Sequence, residues 1–418
     1  MKIDRNIHLK KLINSKHSGM IKVITGVRRS GKSYLLFTLF REHLLNAGVE
    51  ESHIVQINLE DRRNKKLCNP DALLQHIDSK IIDAKMHYVL IDEIQKVDEF
   101  EDVLNSYLKI PNVDVYVTGS NSKLLSKDVI TEFRGRGFEI KIHPLSFREF
   151  MSVYQGDSRE KALMDYMTYG GLPQTVTLST NEEKVDYLKS LFASTYITDI
   201  KERYKIVNDA DLEELIDVMA SSIGGLTNPL KLQNTFRSLK HSTITIDTIK
   251  RYLEIMQDAF LIEKSVRYDI KGKKYIDTPA KYYFEDLGLR NARLNFRQTE
   301  ESHLMENLIY NELRQRGLSV DVGQVIYNHK DSQGKSQRKT LEVDFVCNQG
   351  FRRYYIQSAL DLPTPKKTEQ EQRSLLRIND NFQKIIIMGG MTPTHMNDNG
   401  IIIMNIFDFL LNENSLII

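Results

Sequence analysis

Residues 26–33, GVRRSGKS, constrain the fold of this chain more than any other stretch. They fit the pattern GxxxxGK[ST], with Gly26 and Gly31 as the glycines and Lys32 and Ser33 as the closing pair. The segment follows a β-rich run, MIKVITG, and opens a run with helical spacing of apolar residues, KSYLLFTLFREHLLNAG. A loop of this pattern between a strand and a helix predicts a phosphate-binding site, and with it an α/β fold built on a parallel sheet.

A bound triphosphate would explain the two glycines, the lysine and the final serine of this loop. The two glycines allow backbone conformations that bulkier residues resist, so that successive N–H groups face a phosphate. Lys32 is expected to reach the β- and γ-phosphates of ATP, and Ser33 to ligate Mg²⁺. An ordinary glycine-rich turn is the alternative, because so short a pattern also arises by chance. The predicted nucleotide-contacting residues are Gly26, Val27, Arg28, Arg29, Ser30, Gly31, Lys32, Ser33 and Tyr34.

A second motif, which is acidic, strengthens the prediction of a nucleotide-binding site. The run YVLIDE at 88–93 has the composition of a buried strand and ends in Asp92 and Glu93. Carboxylates at the carboxyl end of a parallel strand lie at the sheet edge where ligands bind. Asp92 is therefore predicted to hold Mg²⁺, and Glu93 to activate the attacking water as a general base. The alternative is that the two acids merely end a strand.

A further strand, HIVQINLED, lies in sequence between the loop and this motif. The arrangement resembles the additional-strand, catalytic-glutamate class of nucleotide hydrolases, which includes the AAA ATPases. That resemblance implies a sensor residue after VYVTG, with Asn121 the first choice and Ser120 the second. It also implies that Arg134 or Arg136 acts as an arginine finger, in cis or across a subunit interface, with Arg136 preferred. A plain turn and a solvated arginine pair are the alternatives.

Several other segments resemble one family of AAA-type ATPases, in which a phosphate-loop domain precedes a domain of unknown function. The segments are VITGVRRSGKSYLL, INLED, VLIDEIQ, TGSNSKLL, RGRGFEIKIHPLSFREF, YGGLPQ, KYYFEDLGLRNA, LMENLIYNELRQRG and EVDFV. They extend from about residue 10 to residue 360, so the resemblance covers most of the chain. It implies ATPase activity and leaves the cellular role open.

Length and composition bound the remaining possibilities. A chain of 418 residues is long enough for two or three domains, and we expect a phosphate-loop domain at 1–150, a helical and winged-helix-like region at 151–290 and a nuclease-like α+β domain at 291–418. The formal net charge of +2 predicts neither nucleic-acid nor membrane binding. Two separate cysteines, no apolar N-terminal run and no stretch long enough to span a bilayer favour a cytoplasmic protein without membrane contact.

The middle region has the order of a winged helix: helices, then TIDTIKRYLEIMQDAF, then a hairpin with a basic tip, DIKGKKYID. In such a fold a helix can enter a DNA groove while the hairpin contacts phosphates. The predicted DNA contacts are Lys250, Arg251, Lys271, Lys273 and Lys274. Winged helices also bind proteins, and lysine-rich turns are commonly only solvated, so a protein partner stays open.

The last region resembles the core of the PD-(D/E)xK nucleases, with a helical Glu306 followed by Asp344 in EVDF. The second acid of that pattern is replaced by Gln357 and the lysine by Ala359, which predicts a site without cleavage activity. Glu342 is expected on the opposite face of the strand from Asp344. A binding surface remains possible through Arg352, Arg353, Lys366 and Lys367.

Together these patterns predict an ATP-binding and ATP-hydrolysing switch whose later domains report the nucleotide state to a partner, either DNA or protein, including another copy of the chain. The alternative from a different class is a DNA- or protein-binding scaffold that binds ATP but barely hydrolyses it. A nuclease is disfavoured by Gln357 and Ala359.

Overall fold

A computed structural model describes residues 2–119, 133, 135–206, 209–240, 242–298, 300–330, 336–362 and 364–417. The chain forms two compact units. The N-terminal unit comprises Met1–Leu145, Leu172–Gln174 and Asp258–Phe260, and the C-terminal unit comprises the rest. The boundaries of the three predicted domains stay a prediction.

The N-terminal unit is built on five parallel strands in the order β2-β3-β4-β1-β5. Their bounds are β1 Ile21–Gly26, β2 Ile54–Asn58, β3 His87–Asp92, β4 Val113–Thr118 and β5 Gly137–Ile142. The helices of this unit are Asn6–Asn14, Lys32–Tyr34 continued by a π-helical Leu35–Phe40 and by Arg41–Asn46, Pro70–Asp78 and Phe100–Tyr107. The predicted parallel α/β fold is confirmed.

Both faces of this sheet are buried, which explains why β1 and β3 read as nearly continuous apolar runs. Val23 and Ile91 belong to the core on one face, whereas Ile24 and Leu90 belong to the core on the other. Successive side chains of a strand point to opposite faces, so each strand contributes to both cores.

The strand order brings three chain segments to one edge of the sheet. Strand β4 lies between β1 and β3, although in sequence it follows both of them. The carboxyl ends of these three strands, at Gly26, Thr118 and Asp92, therefore lie side by side. This edge is where a parallel α/β sheet binds ligands.

The C-terminal unit combines many helices with an eight-stranded mixed sheet in the order β12-β13-β11-β10-β9-β8-β6-β7. The strands are β6 Ile262–Asp269, β7 Lys274–Phe284, β8 Ser319–Lys330, β9 Ser336–Gln349, β10 Arg352–Ala359, β11 Gln383–Met388, β12 His395–Met396 and β13 Ile402–Asn405. The helices after residue 145 are Phe147–Met151, Arg159–Tyr169, Pro173–Thr177, Asn181–Leu191 continued by a π-helical Phe192–Ile197 and by Thr198–Tyr204, Asp209–Ser221, Pro229–Lys240, Ile246–Asp258, Leu287–Arg293, Glu301–Gln315, Pro365–Leu375 and Ile406–Leu411. A helical stretch followed by a mixed α/β region agrees with the predicted fold class.

The β6–β7 hairpin is part of a larger sheet than a winged helix would have. The hairpin forms, and the helix before it begins after Thr245, whose hydroxyl accepts a hydrogen bond from the Thr248 N–H at 3.1 Å. However, β6 also pairs in parallel with β8, so the hairpin is the edge of the large sheet and not a separate wing. Periodicity alone does not show which strands a hairpin joins, and the winged helix is not confirmed.

A buried carboxylate joins two segments of the C-terminal unit that lie far apart in the sequence. The buried Asp286 carboxylate accepts a hydrogen bond from the Gly171 N–H at 2.8 Å and one from the Leu289 N–H at 3.0 Å. A Cβ atom on Gly170 would lie 2.3 Å from this carboxylate. Gly170 and Gly171 thus form one local structure with the motif FEDLGLRN, and burial raises the pKa of Asp286 to about 6 against these hydrogen bonds.

Within the described part of the chain, no helix has both the length and the apolar character that crossing a membrane requires.

Substituting Gly26 tests the close approach of β1 to β5. A Cβ atom there would lie 2.0 Å from the Ile142 carbonyl oxygen, and its φ of +127° disfavours a side chain as well. We expect Gly26→Ala to destabilise the N-terminal unit by more than about 3 kcal/mol, measured by thermal unfolding.

Gly48→Ala is the matched control, because Gly48 also has a positive φ but open space around its Cβ position. We expect a loss of about 1 kcal/mol there, from backbone strain alone. Equal losses in the two variants would contradict the close approach.

Candidate functional site

The phosphate loop begins where β1 ends and closes at the start of a helix. Gly26 and Gly31 have φ angles of +127° and +93°, and Arg29 also has a positive φ, of 63°. Gly31 lies at the N-cap position of the helix that begins at Lys32. The loop therefore has the backbone conformation for which the glycines were predicted.

Lys32 folds back over this loop. Its Nζ atom donates hydrogen bonds to the carbonyl oxygens of Gly26 and Val27, each at 3.0 Å. Burial lowers the pKa of Lys32 to about 8, although Glu93 and Asp92 oppose that shift. The ammonium group is thus held above the loop and close to both predicted acids.

The other predicted loop residues differ in exposure. Val27 and Ser30 are buried, Arg28 and Tyr34 are half-buried, and Arg29 and Ser33 are exposed. The exposed Ser33 lies close to the buried Asp92, because its hydroxyl is among the groups that lower the pKa of that carboxyl. The two residues predicted to hold Mg²⁺ are therefore brought together.

Arg5, which the sequence patterns did not single out, supports the loop from behind. Its guanidinium donates to the Ser30 carbonyl oxygen at 2.7 Å and to the His143 carbonyl oxygen at 2.6 Å. The residue is only 3% exposed. One buried cation thus joins the phosphate loop to the segment that follows β5.

Thr118, at the end of β4, connects the two acids. Its hydroxyl donates to Asp92 Oδ1 and accepts a hydrogen bond from the Glu93 N–H at 3.1 Å. Burial raises the pKa of Asp92, and the hydrogen bonds from Thr118 and Ser33 work against this shift. An isolated threonine at a strand end carries no sequence signal, which is why this residue was missed.

Glu93 has a left-handed backbone conformation, with φ 58° and ψ 48°, which turns it away from the line of β3. Its carboxylate accepts a hydrogen bond from the side-chain amide of Gln95. Glu93 is partly exposed, unlike its neighbour Asp92. The two adjacent acids thus have different surroundings, as two different roles would require.

Arg136 lies at the wrong end of the sheet for a finger that acts in cis. Its carbonyl oxygen accepts a hydrogen bond from the Ile21 N–H at 3.0 Å, where β1 and β5 begin. The phosphate loop follows the opposite end of β1, about 16 Å away at the rise of a strand. The exposed Arg136 therefore lies far from the phosphate loop of its own chain, whereas Asn121, Ser120 and Arg134 lie outside the described residues.

The C-terminal sheet brings together the residues of the predicted nuclease-like pattern. The Gln357 side chain donates to Asp344 Oδ1 at 3.2 Å and accepts from the Asp344 N–H at 3.3 Å. The Ser358 N–H donates to the other carboxylate oxygen at 2.8 Å. Burial and the neighbouring Glu306 carboxylate raise the pKa of Asp344 to about 8. The amide that replaces the second acid thus binds the first one.

A lysine that the sequence patterns did not assign lies among these acids. Lys281, on β7, contacts Glu306 and Glu342, each with 2.8 Å between its Nζ atom and a carboxylate oxygen. Burial alone would lower the pKa of Lys281, but Glu306, Asp344 and Glu342 together hold it above its ordinary value. The phenol of the buried Tyr283 donates to the same Glu306 oxygen at 2.7 Å.

The placement of Glu342 corrects the sequence prediction. We expected it on the face opposite Asp344, whereas both acids act on Lys281. Residues two apart in a strand share a face, so the expectation was wrong. Lys281, Glu306, Glu342 and Asp344 thus form one buried cluster of charged groups.

The sheet order, the phosphate loop and the acidic end of β3 together define a phosphate-loop protein of the AAA type. The family model described as "AAA domain" matches residues 18–151, and the model described as "Domain of unknown function (DUF8612)" matches residues 160–300. The predicted resemblance to AAA-type ATPases is confirmed for this N-terminal part.

Two relatives extend the match beyond the AAA domain. An uncharacterized protein of Haemophilus influenzae is 35% identical over 414 residues, which is 98% of each chain. The uncharacterized protein MJ1544 of Methanocaldococcus jannaschii is 30% identical over 381 residues, 88% of this chain and 80% of that one. The chain belongs to the family of these two proteins.

The chain is also similar to solved structures, among them that of the Aeropyrum pernix ORC1 protein in complex with DNA. That match has 11% identity and a TM-score of 0.30, and it covers 71% of this chain and 93% of that one. Cdc6p of Pyrobaculum aerophilum is 11% identical with a TM-score of 0.29, covering 73% of this chain and 96% of that one. At such TM-scores these neighbours indicate nothing about the ligands or partners of this chain.

Replacing Lys281 tests the ion cluster. Lys281→Met removes the buried cation while Glu306 and Glu342 remain, and we expect the C-terminal unit to lose about 3 kcal/mol, seen as a lower thermal midpoint. A second change, Glu306→Gln, should recover part of that loss because it removes one of the uncompensated charges.

Lys264→Met is the control, because Lys264 pairs with the largely exposed Asp277 on the same hairpin. Its expected effect is below about 1 kcal/mol. If Lys264→Met and Lys281→Met lower the midpoint equally, the cluster contributes no special stability.

Proposed function

We propose that this protein binds Mg·ATP at the phosphate loop and hydrolyses it. The observation that supports the proposal most directly is the convergence of Lys32, Ser33, Asp92 and Glu93 at one edge of the parallel sheet. Lys32 rests on loop carbonyl oxygens, and a phosphate would offer its ammonium group a stronger partner.

The oxygen atoms near Asp92 fit a magnesium ion. Asp92 contributes a buried carboxylate and Ser33 an adjacent hydroxyl, and Mg²⁺ prefers such hard oxygen ligands. When bound, the ion would neutralise charge on the β- and γ-phosphates. Thr118 would hold the Asp92 carboxylate in position through the hydrogen bond it already donates.

Glu93 is the proposed general base. Its partly exposed carboxylate lies close enough to Lys32 to raise the pKa of that lysine, so it also lies near the proposed γ-phosphate position. There it would take a proton from the attacking water. Asn121 stays our proposed sensor, and Arg136 our proposed finger toward a neighbouring subunit of a homo-oligomer.

The hydrogen bond between Gln95 and Glu93 favours the second candidate function, an ATP-binding scaffold with little turnover. While the Gln95 amide holds the Glu93 carboxylate, that carboxylate is less free to accept a proton from water. The two candidates therefore differ in whether Gln95 releases Glu93 once nucleotide and partner are bound.

We further propose that the nucleotide state is passed on through the chain at residues 170–174. Leu172–Gln174 belongs to the N-terminal unit, and a Cβ atom on Gly31 of the phosphate loop would lie 3.9 Å from Pro173. The preceding Gly171 belongs to the C-terminal unit, where Asp286 holds its N–H. A change in the loop would thus act on a segment whose preceding residue, Gly171, is held by Asp286.

DNA is the proposed partner of the C-terminal unit. The turn between β6 and β7 exposes Lys271, Lys273 and Lys274, and the adjacent Tyr275 is 65% exposed. Tyr275 packs against Tyr268 with ring centroids 5.2 Å apart. Exposed cations beside accessible aromatic rings suit a nucleic-acid backbone and its bases.

Phosphate release tests the hydrolysis proposal. We expect Glu93→Gln to bind Mg·ATP as tightly as the unchanged protein but to release phosphate at least about 100-fold more slowly, because the base is lost. Lys32→Ala should lose nucleotide binding itself.

The scaffold alternative predicts that the unchanged protein and Glu93→Gln release phosphate equally slowly. In that case Gln95→Ala should raise turnover if the amide is what restrains Glu93. If Lys32→Ala takes up nucleotide normally, both candidate functions are wrong.

Binding of labelled duplex DNA across a salt series tests the partner proposal. We expect the triple change Lys271→Ala, Lys273→Ala and Lys274→Ala to weaken binding and to reduce the slope of log K against log salt by up to about 2.7. Lys65→Ala, Lys66→Ala and Lys80→Ala, exposed lysines of the N-terminal unit, form the charge-matched control. If the change of Lys271, Lys273 and Lys274 leaves DNA binding unaltered, or if the protein binds no DNA, the partner is a protein.

A further inference from the structure

Three metal-binding side chains meet at the edge of the N-terminal sheet that lies opposite the phosphate loop. His53 precedes β2 and His87 opens β3, while Asp83 lies in the loop before β3. One ligand atom from each lies within 4.8 Å of the others. Strand β3 separates this group from Asp92 by about 16 Å, so it is distinct from the proposed nucleotide site.

The geometry of the group is already close to that of a coordination sphere. His53 Nε2 is 3.1 Å from both Asp83 carboxylate oxygens. The rings of His53 and His87 have centroids 4.7 Å apart. Ligand atoms of a tetrahedral site with bonds of about 2.0 Å lie about 3.3 Å from one another. The spacing of His53 and Asp83 already fits this value, and the His87 ligand atom lies within 4.8 Å of both.

Hydrogen bonds from neighbouring groups orient these side chains, as such bonds orient the ligands of metal sites. His87 Nδ1 lies 2.8 Å from the Lys85 carbonyl oxygen, which assigns the proton to Nδ1 and leaves a lone pair on Nε2. His53 Nδ1 lies 3.2 Å from the Ser52 hydroxyl. Asp83 Oδ1 accepts a hydrogen bond from the Lys85 N–H at 2.8 Å, which fixes the carboxylate.

The two imidazoles are buried, whereas the carboxylate of the group is partly exposed to solvent. His53 is 3% exposed and His87 is not exposed, whereas the Asp83 side chain is 39% exposed. The carboxylate therefore gives an ion a route from solvent to two shielded nitrogen atoms. Two imidazoles and one carboxylate suit zinc better than magnesium or calcium, which prefer oxygen ligands.

We propose that His53, Asp83 and His87 bind a zinc ion, with water in the remaining position. The His87 Nε2 atom at present accepts the Ile82 N–H at 3.2 Å. Ile82 is 59% exposed, so this N–H belongs to a solvent-exposed residue and can bind water when the metal takes its acceptor.

Zinc binding would restrain the loop before β3, which contains Asp83. The segment before β3 is also held by Asn112, whose side chain donates to the Asp83 carbonyl oxygen at 3.0 Å. Zinc would add a link from this segment to His53, at the start of the neighbouring strand. The ion would thus stabilise the end of the sheet that takes no part in nucleotide binding.

Asp83→Asn is the sharpest test. The amide oxygen can still accept the Lys85 N–H, so the variant keeps the local turn while losing the ligand charge. The experiment uses the full-length protein without a purification tag, stripped of metal, and titrates it with ZnCl₂ by calorimetry. CoCl₂ serves as the spectroscopic probe, because tetrahedral Co²⁺ has visible absorption bands.

We expect the unchanged protein to bind one zinc ion and to unfold at a higher temperature when it is loaded. Asp83→Asn should weaken zinc binding at least about tenfold and reduce the visible cobalt bands. His395→Gln, which changes an exposed histidine of the other unit, should bind zinc normally. Absence of zinc binding, or unchanged binding by Asp83→Asn, would overturn the proposal and leave a structural His–Asp pair.

Discussion

The Thr118 hydroxyl is the interaction on which the nucleotide edge of this protein depends. It donates to the Asp92 carboxylate and accepts the Glu93 N–H, so that a single atom connects two adjacent acids. This is possible only because β4 lies between β1 and β3. The order of the strands in the sheet, more than the order of motifs in the sequence, therefore determines what meets the phosphate loop.

In the C-terminal unit, the residues of the predicted nuclease-like pattern bind one another. Gln357 stands where an acid was expected, and it hydrogen-bonds Asp344 from both ends of its amide. Lys281 then supplies, from a different strand, a cation for Glu306 and Glu342. A buried ion cluster contributes to stability only if every charge keeps its partner, which makes this region sensitive to single substitutions.

Much of the fold and of the candidate site could be predicted, because the necessary information is local. The loop at 26–33 and the strand that ends at Asp92 have short patterns whose residue types follow from phosphate and metal chemistry. By the same reasoning, alternating strands and helices predicted the parallel sheet. Glu342 could have been placed correctly too, because the two-residue period of a strand is a local property.

The parts that could not be predicted depend on contacts between distant segments. Arg5 and Thr118 carry no motif, and their roles follow from where the chain returns. The β6–β7 hairpin was predicted as a hairpin, but its pairing with β8 involves residues more than fifty positions away. The sequence does not show where Arg136 lies in the fold, and only the strand register shows which end of the sheet it occupies.

Arg5 connects the N-terminal helix to nucleotide chemistry in a way that motif comparisons overlook. The helix Asn6–Asn14 begins directly after Arg5. The Arg5 guanidinium donates hydrogen bonds to the carbonyl oxygens of Ser30 and His143. A shortened chain that started at β1 would retain every recognised motif, yet those two carbonyl oxygens would lose a buried cationic donor. The functional beginning of this AAA domain therefore lies before the residues by which the domain is recognised.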